Sequence, residues 1–124
     1  MRTKLALLLV TLPITASATE KIPSYKPGTR YSEVRSGLLK SGFRPYFYPD
    51  TNDRCLGRDA ICNSFPETRI CRGTGRAGCE FILVRGKSTL FVVETTGEHP
   101  SDPAFERIRR ASKGETKDLL ELAE

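Results

Sequence analysis

An α+β fold is predicted: one small domain in which a helix packs on a small antiparallel sheet and a long loop is stapled by disulfides. Three observations predict it. Apolar residues recur at helical spacing over residues 31–41. Two apolar runs, 79–85 and 88–95, are separated only by Gly86-Lys87. All four cysteines of the 124-residue chain crowd into positions 55–79.

The chain opens with Arg2 and Lys4, an apolar run from Leu5 to Leu12, Pro13 and the small residues Ala16-Ser17-Ala18. This is the pattern of a secretory signal peptide over residues 1–18, because the apolar run is about half of what a bilayer-crossing helix needs. Cleavage after Ala18 would leave a periplasmic or secreted chain with no membrane span. Of the formal charge of +5, Arg2 and Lys4 supply two, leaving +3. That permits contact with an anionic envelope polymer or an envelope protein, and falls short of the footprint of a nucleic-acid binder.

Residues 19–27 carry two prolines and no periodicity and read as an extended leader, ahead of a domain over 28–112. Thr29 is the expected N-cap of the first helix. Tyr31, Val34 and Leu38 line one face, Leu39 widens it, and Gly42 is the expected C′ residue. Gly37, a small residue inside this helix, suggests close packing on a sheet. The aromatic run 43–48 predicts a strand that, because Pro45 cannot donate, lies at an edge or begins near Tyr46, with Phe47 in the core.

The cysteine segment follows. In an exported chain an even cysteine count predicts two disulfides, while gaps of six, eight and seven residues lack the close pairs of a zinc site. Cys55–Cys62 with Cys71–Cys79 is the favoured pairing, and the interleaved and nested pairings stay open. Loop closure separates bridges of eight and 25 residues by only about 1 kcal/mol.

For the hairpin, a two-residue loop would set Leu83 opposite Leu90 and Phe81 opposite Val92. Both faces are apolar, so each needs a cover: the first helix on one side, the C-terminal segment or a partner on the other. Asp102-Pro103 reads as the cap and first residue of a short helix with Phe105, Ile108 and Ala111 at spacing three, and an edge strand over 105–109 is the alternative. Gly114 breaks the pattern. A second short helix or frayed tail is expected over 115–124, within a terminal segment 113–124.

At Tyr31-x3-Arg35-x2-Leu38-x3-Gly42-Phe43-x-Pro45, followed by Pro66-Glu67 and Cys71-x-Gly73-Thr74-Gly75-x3-Cys79-x-Phe81, the chain resembles a group of small exported proteins of Gram-negative bacteria. The likeness spans about residues 28–97. Phe43 stands where tryptophan is common, and the segment after Glu98 has no counterpart. The resemblance implies an envelope or secreted α/β domain and supplies no active site.

Gly73-Thr74-Gly75-Arg76-Ala77-Gly78 spells G-x-G-x-x-G, but it sits between two cysteines and leads into a strand, which is the wrong context for a dinucleotide loop. No cofactor or metal is expected. Arg69, Arg72 and Arg76 beside the glycines form a candidate anion site, for example for lipopolysaccharide phosphate. Arg107, Arg109 and Arg110 read as a solvated helix face. Tyr46 and Tyr48 are candidates for a recognition surface on the edge strand. Asp50, Asp53, Asp59 and Glu67 could serve a small hydrolase of envelope polymers, although their spacing singles out no pair. His99 has no nucleophile beside it, so no catalytic residue is assigned. The expected role is noncatalytic binding.

Overall fold

The first helix, α1 (Tyr31–Lys40), buries Tyr31, Val34 and Leu38 on one stripe. Each large apolar side chain so buried contributes about 1.5–3 kcal/mol, which offsets the weak propensity of a helix containing Gly37. Thr29 does not cap it; its hydroxyl bonds the Lys26 carbonyl instead. The cap comes from 70 residues away, where the Asp102 carboxylate accepts from the Ser32 N–H at 2.9 Å and from the Ser32 hydroxyl at 2.6 Å. The far end closes as expected. Gly42 has φ of +92°, and the N–H groups of Gly42 and Phe43 reach back to the carbonyls of Leu39 and Leu38, the double bond of a Schellman motif.

This computed structural model describes residues 9–12, 21–47, 59–72, 77–97 and 101–122. The expected cleavage point, Cys55, Tyr48, Arg76, Asp50, Asp53 and His99 lie outside the described residues. Among those described, no helix is long and apolar enough to cross a membrane.

After α1 come β1 (Arg44–Pro45), α2 (Asp59–Ser64), β2 (Thr68–Cys71), β3 (Ala77–Arg85), β4 (Thr89–Thr96), β5 (Ala104–Arg110) and α3 (Lys113–Leu122). The strands form one antiparallel sheet in the order β1-β3-β4-β5, with β2 sharing the β1 side of β3. Pro45 lies on an edge strand, as its missing N–H requires. Cys71 and Cys79 face each other across β2 and β3 and form a disulfide, and Cys62 is also disulfide-bonded.

The hairpin register differs from expectation by one residue. The loop is Gly86-Lys87-Ser88, three residues long, so Leu83 faces Phe91 and Phe81 faces Val93. Since both faces are apolar, no desolvation penalty distinguishes the two registers at the level of sequence. Packing decides. Phe91 meets Phe43 edge-on at 5.1 Å beneath α1, in a cluster with Phe81, Leu83 and Val93. Ile82, Leu90 and Val92 turn to the other face, where Leu119 of α3 and Tyr46 cover them.

Residues 104–110 form a strand, not the helix favoured from spacing. Glu94 pairs with Arg107 while the next residue, Thr95, pairs with Phe105, so Glu106 is an inserted bulge residue. The bulge lets Phe105 and Ile108 face the same cluster although they are three apart. A helix-like spacing is thus produced by an interrupted strand. A second bulge, in β3, brings Gly78 so close to β4 that a Cβ there would lie 1.6 Å from the Thr95 carbonyl oxygen. Only glycine fits. Gly37 also makes a close contact, but with the leader and not the sheet, since Tyr25 packs over it.

α3 begins two residues before the expected helix. Ser112 and Glu115 form a reciprocal capping box: the Glu115 N–H donates to the Ser112 hydroxyl at 3.1 Å, and the Ser112 N–H donates to the Glu115 carboxylate at 3.0 Å. Gly114 is accommodated within the first turn.

Candidate functional site

Of the loop arginines, Arg69 and Arg72 are committed to the fold. Arg69 donates to Glu115 at 2.5 Å and lies 3.7 Å from Glu80; Arg72, two-thirds exposed, lies 3.6 Å from Glu80. Glu80 stands directly opposite Glu94 across β3 and β4. Two like charges so placed repel, and arginines on both flanks neutralise them. From the β5 side Arg107 donates to Glu94, and Arg109 does so at 3.0 Å while its two terminal nitrogens reach Glu115 at 2.7 and 3.1 Å. The result is a charged row across the sheet that ties α3 to it. It borders a polar groove of about 350 Å³ lined in part by Arg72, Glu80, Glu94, Glu106 and Arg107.

These contacts set the ionisation of the row. The Arg109 guanidinium holds the Glu115 carboxyl far below the usual carboxylate range against the opposing effect of burial, with Ser112 and Arg69 assisting. For Glu94, burial raises the pKa, but hydrogen bonds from Arg107 and Arg109 outweigh it and the net shift is downward. Both carboxylates are therefore ionised at neutral pH, the reverse of what a general acid requires.

Glu67 is also engaged. Its carboxylate is fully buried and accepts from the Tyr31 hydroxyl at 2.8 Å and from Arg35 at 2.5 Å, both at Oε1, while Oε2 has no hydrogen-bond partner among the described residues. Tyr31 in turn stacks on Phe81, with ring centroids 3.7 Å apart, and meets Phe65 edge-on. Burial, followed by the charge and hydrogen bond of Glu67, raises the Tyr31 pKa well above its ordinary value. Tyr31, Arg35 and Glu67 all belong to the motif on which the resemblance rests, and the fold joins them into one network at the core. Asp59 lies at the start of α2.

Tyr46 is 8% exposed and its hydroxyl donates to the Leu119 carbonyl, so its ring closes the core under α3. Phe47, expected in the core, is 67% exposed. Tyr46 backs onto the sheet through its N–H to Ile82, and the alternation of an extended segment turns its neighbour away. Among the described residues no group of three or more His, Cys, Asp or Glu side chains could hold a metal ion.

A different set of cations is left over. The β3–β4 turn end of the sheet gathers Arg44, Lys87, Arg110 and Lys113, none of which forms an ion pair among the described residues. Arg44, Val84, Leu90 and Ala111 lie in one row across the four strands, which sets Arg44 and the β5 end roughly 14 Å apart. Arg44 donates to the Gly86 carbonyl at 2.7 Å, which fixes it beside the turn. Arg85 lies 4.7 Å from the ring centre of Phe43 and 5.3 Å from that of Phe91, and Arg110 lies 5.9 Å from the latter. The Phe91 ring holds Arg110 in place without neutralising it. We call this end the basic pole. Only the Arg107–Arg110 cluster hinted at it in the sequence, and the fold divides that cluster: Arg107 and Arg109 join the ionic row, while Arg110 joins the pole.

Comparison with known protein families, with characterised proteins and with solved structures finds no match to this chain.

Proposed function

We propose that this chain is an exported, noncatalytic binding domain of the bacterial cell envelope that takes an anionic partner at the basic pole. The observation that carries the proposal is the contrast between two sets of cations. Arg69, Arg72, Arg107 and Arg109 each face a carboxylate, whereas Arg44, Lys87, Arg110 and Lys113 face none among the described residues. Uncompensated charge gathered at one end of a rigid sheet is repulsive within the free chain, and an anionic partner relieves that repulsion. Export is supported by the charged and apolar N-terminal pattern together with the disulfide. Noncatalytic binding is favoured over hydrolysis because Glu80, Glu94, Glu115 and Glu67 are each held by arginine.

Retention of the purified chain on immobilised polyphosphate tests the reading. The triple variant Arg44→Ser, Lys87→Ser, Arg110→Ser should elute at clearly lower salt than wild type, because fewer cations facing phosphate means a weaker, less salt-dependent attraction. Arg72→Ser should elute with wild type. Coelution of the triple variant with wild type refutes the assignment.

A further inference from the structure

The leader begins at the basic pole. From the Arg30–Ala104 bridge it lies antiparallel to β5, with the Gly28 N–H donating to the Phe105 carbonyl at 2.8 Å and the Phe105 N–H to the Thr29 carbonyl at 2.7 Å. Followed backwards, it therefore heads toward Arg110. Ile22, Pro23 and Tyr25 line a groove with Phe105 and Ile108, and the Lys21 carbonyl accepts from Arg85, at the turn end of β3, at 3.5 Å. Lys21 is exposed there and joins Arg44, Lys87, Arg110 and Lys113. Lys40, exposed in the last turn of α1 and four residues before Arg44, adds a sixth cation. None of the six forms an ion pair among the described residues. They occupy both faces of the sheet end: Arg44 pairs with Val84, which packs in the Leu119 cluster, and Arg110 lies over Phe91 in the cluster beneath α1. Neither the polar groove nor the groove beside β5 is lined by any of them. The charge is spread over an end surface and does not converge on a cavity.

The apolar run is attached at this same end. Leu9, Val10 and Leu12 are exposed, and Lys21 follows Leu12 by nine residues, which span at most about 30 Å. We propose that the basic pole seats the domain on the anionic phospholipid bilayer that the apolar run enters. The proposal rests on the reading of the pole as an anion-binding surface and names the partner. A soluble polyanion would meet the same six cations, but a bilayer also accommodates the apolar run tethered beside them. Anionic headgroups attract clustered lysines and arginines that lie within a Debye length of the surface. Cleavage after Ala18 would leave the pole intact, with a new α-amino group at Thr19 offsetting Glu20.

The test is binding of the full chain to vesicles of phosphatidylcholine and phosphatidylglycerol in equal parts, against vesicles of phosphatidylcholine alone, which report what the apolar run contributes by itself. The mixed vesicles should bind more tightly, and salt should erase the difference. Each cation at an anionic surface is worth about fivefold in affinity, so Lys40→Ser, Lys87→Ser, Lys113→Ser together should weaken binding to the mixed vesicles about a hundredfold, while Arg72→Ser should not. Spin-labelled phospholipid in the mixed vesicles should broaden the wild-type amide signals of Lys21, Lys87 and Lys113 before those of Ser32 and Asp102 at the opposite end, a readout that stands even if the triple variant fails to fold. Equal binding to the two vesicle types, a folded triple variant that binds like wild type, or broadening that is even along the sheet overturns the proposal. Retention on polyphosphate without preference for the anionic vesicles overturns it while sparing the basic pole, and failure of both removes both.

Discussion

Replacing Glu115 by glutamine removes one charge and almost no volume, at the point where α3 is tied to the sheet. The native carboxylate accepts from Arg109 through both oxygens, from Arg69 at 2.5 Å and from the Ser112 N–H. Glutamine retains one acceptor for the Ser112 N–H, so the capping box survives in part, but the arginines lose their counter-ion. Hydrogen bonds to charged groups contribute about 1.5–3 kcal/mol when sheltered. Arg109 is a third exposed, so solvent screening reduces this. A net destabilisation of about 2 kcal/mol is expected, which lowers Tm by roughly 10 °C in a domain of this size. The Glu115 pKa is depressed on folding, so its contribution is fully present above the unfolded value of about 4.3 and is lost as pH falls through the folded one. The gap between wild type and Glu115→Gln should therefore hold constant from neutral pH to about 4.3 and narrow below it. Glu121→Gln, whose ion pair among the described residues is with the exposed Lys117 at 3.9 Å, is the control and should change stability by less than about 0.5 kcal/mol. Urea melts at pH 7 and at acid pH measure all of this. A destabilisation below about 0.5 kcal/mol for Glu115→Gln, or a gap that does not narrow in acid, refutes the ionic tie.

Three further outcomes follow from single contacts. Tyr31→Phe removes one of the two donors to buried Glu67 and should cost about 1–3 kcal/mol by chemical denaturation, with unchanged secondary structure by circular dichroism. Gly78→Ala forces a Cβ into the Thr95 carbonyl, so it should lower Tm far more than Gly114→Ala, whose added methyl meets nothing within 4 Å. Serine at both Cys71 and Cys79 opens a loop with sequence separation 8 and should cost about 2.5 kcal/mol, and denatured, unreduced native protein should show no reactive thiol.

The parts of the fold legible in the sequence are those fixed by local chemistry. The α1 stripe, the Gly42 stop, the hairpin and the edge position of Pro45 each follow from the residues at hand. What escaped depends on residues that meet only in three dimensions. Asp102 looks like a local cap beside Pro103, yet it caps α1, and Phe105 and Ile108 mimic helical spacing because a bulge skips Glu106. β2 and α2 are concealed in a cysteine-rich segment that shows neither helical nor strand periodicity. The Ser112-x-x-Glu115 box is a local signal too, but it encloses Gly114, a residue of poor helix propensity. For the site, the sequence singled out Arg69 and Arg72 but could not show that Glu80 and Glu115 face them. The basic pole draws on β1, a turn, the end of β5 and the start of α3, so no window of sequence contains it.

The central claim is that the uncompensated cations at the turn end of the sheet form the binding surface. Titrating isotope-labelled protein with polyphosphate and following each backbone amide by NMR tests it most directly. Shifts concentrated at Arg44, Lys87, Arg110 and Lys113, and suppressed by salt, are predicted. Shifts centred instead on Arg69 and Arg72, or spread evenly over the surface, would contradict the account.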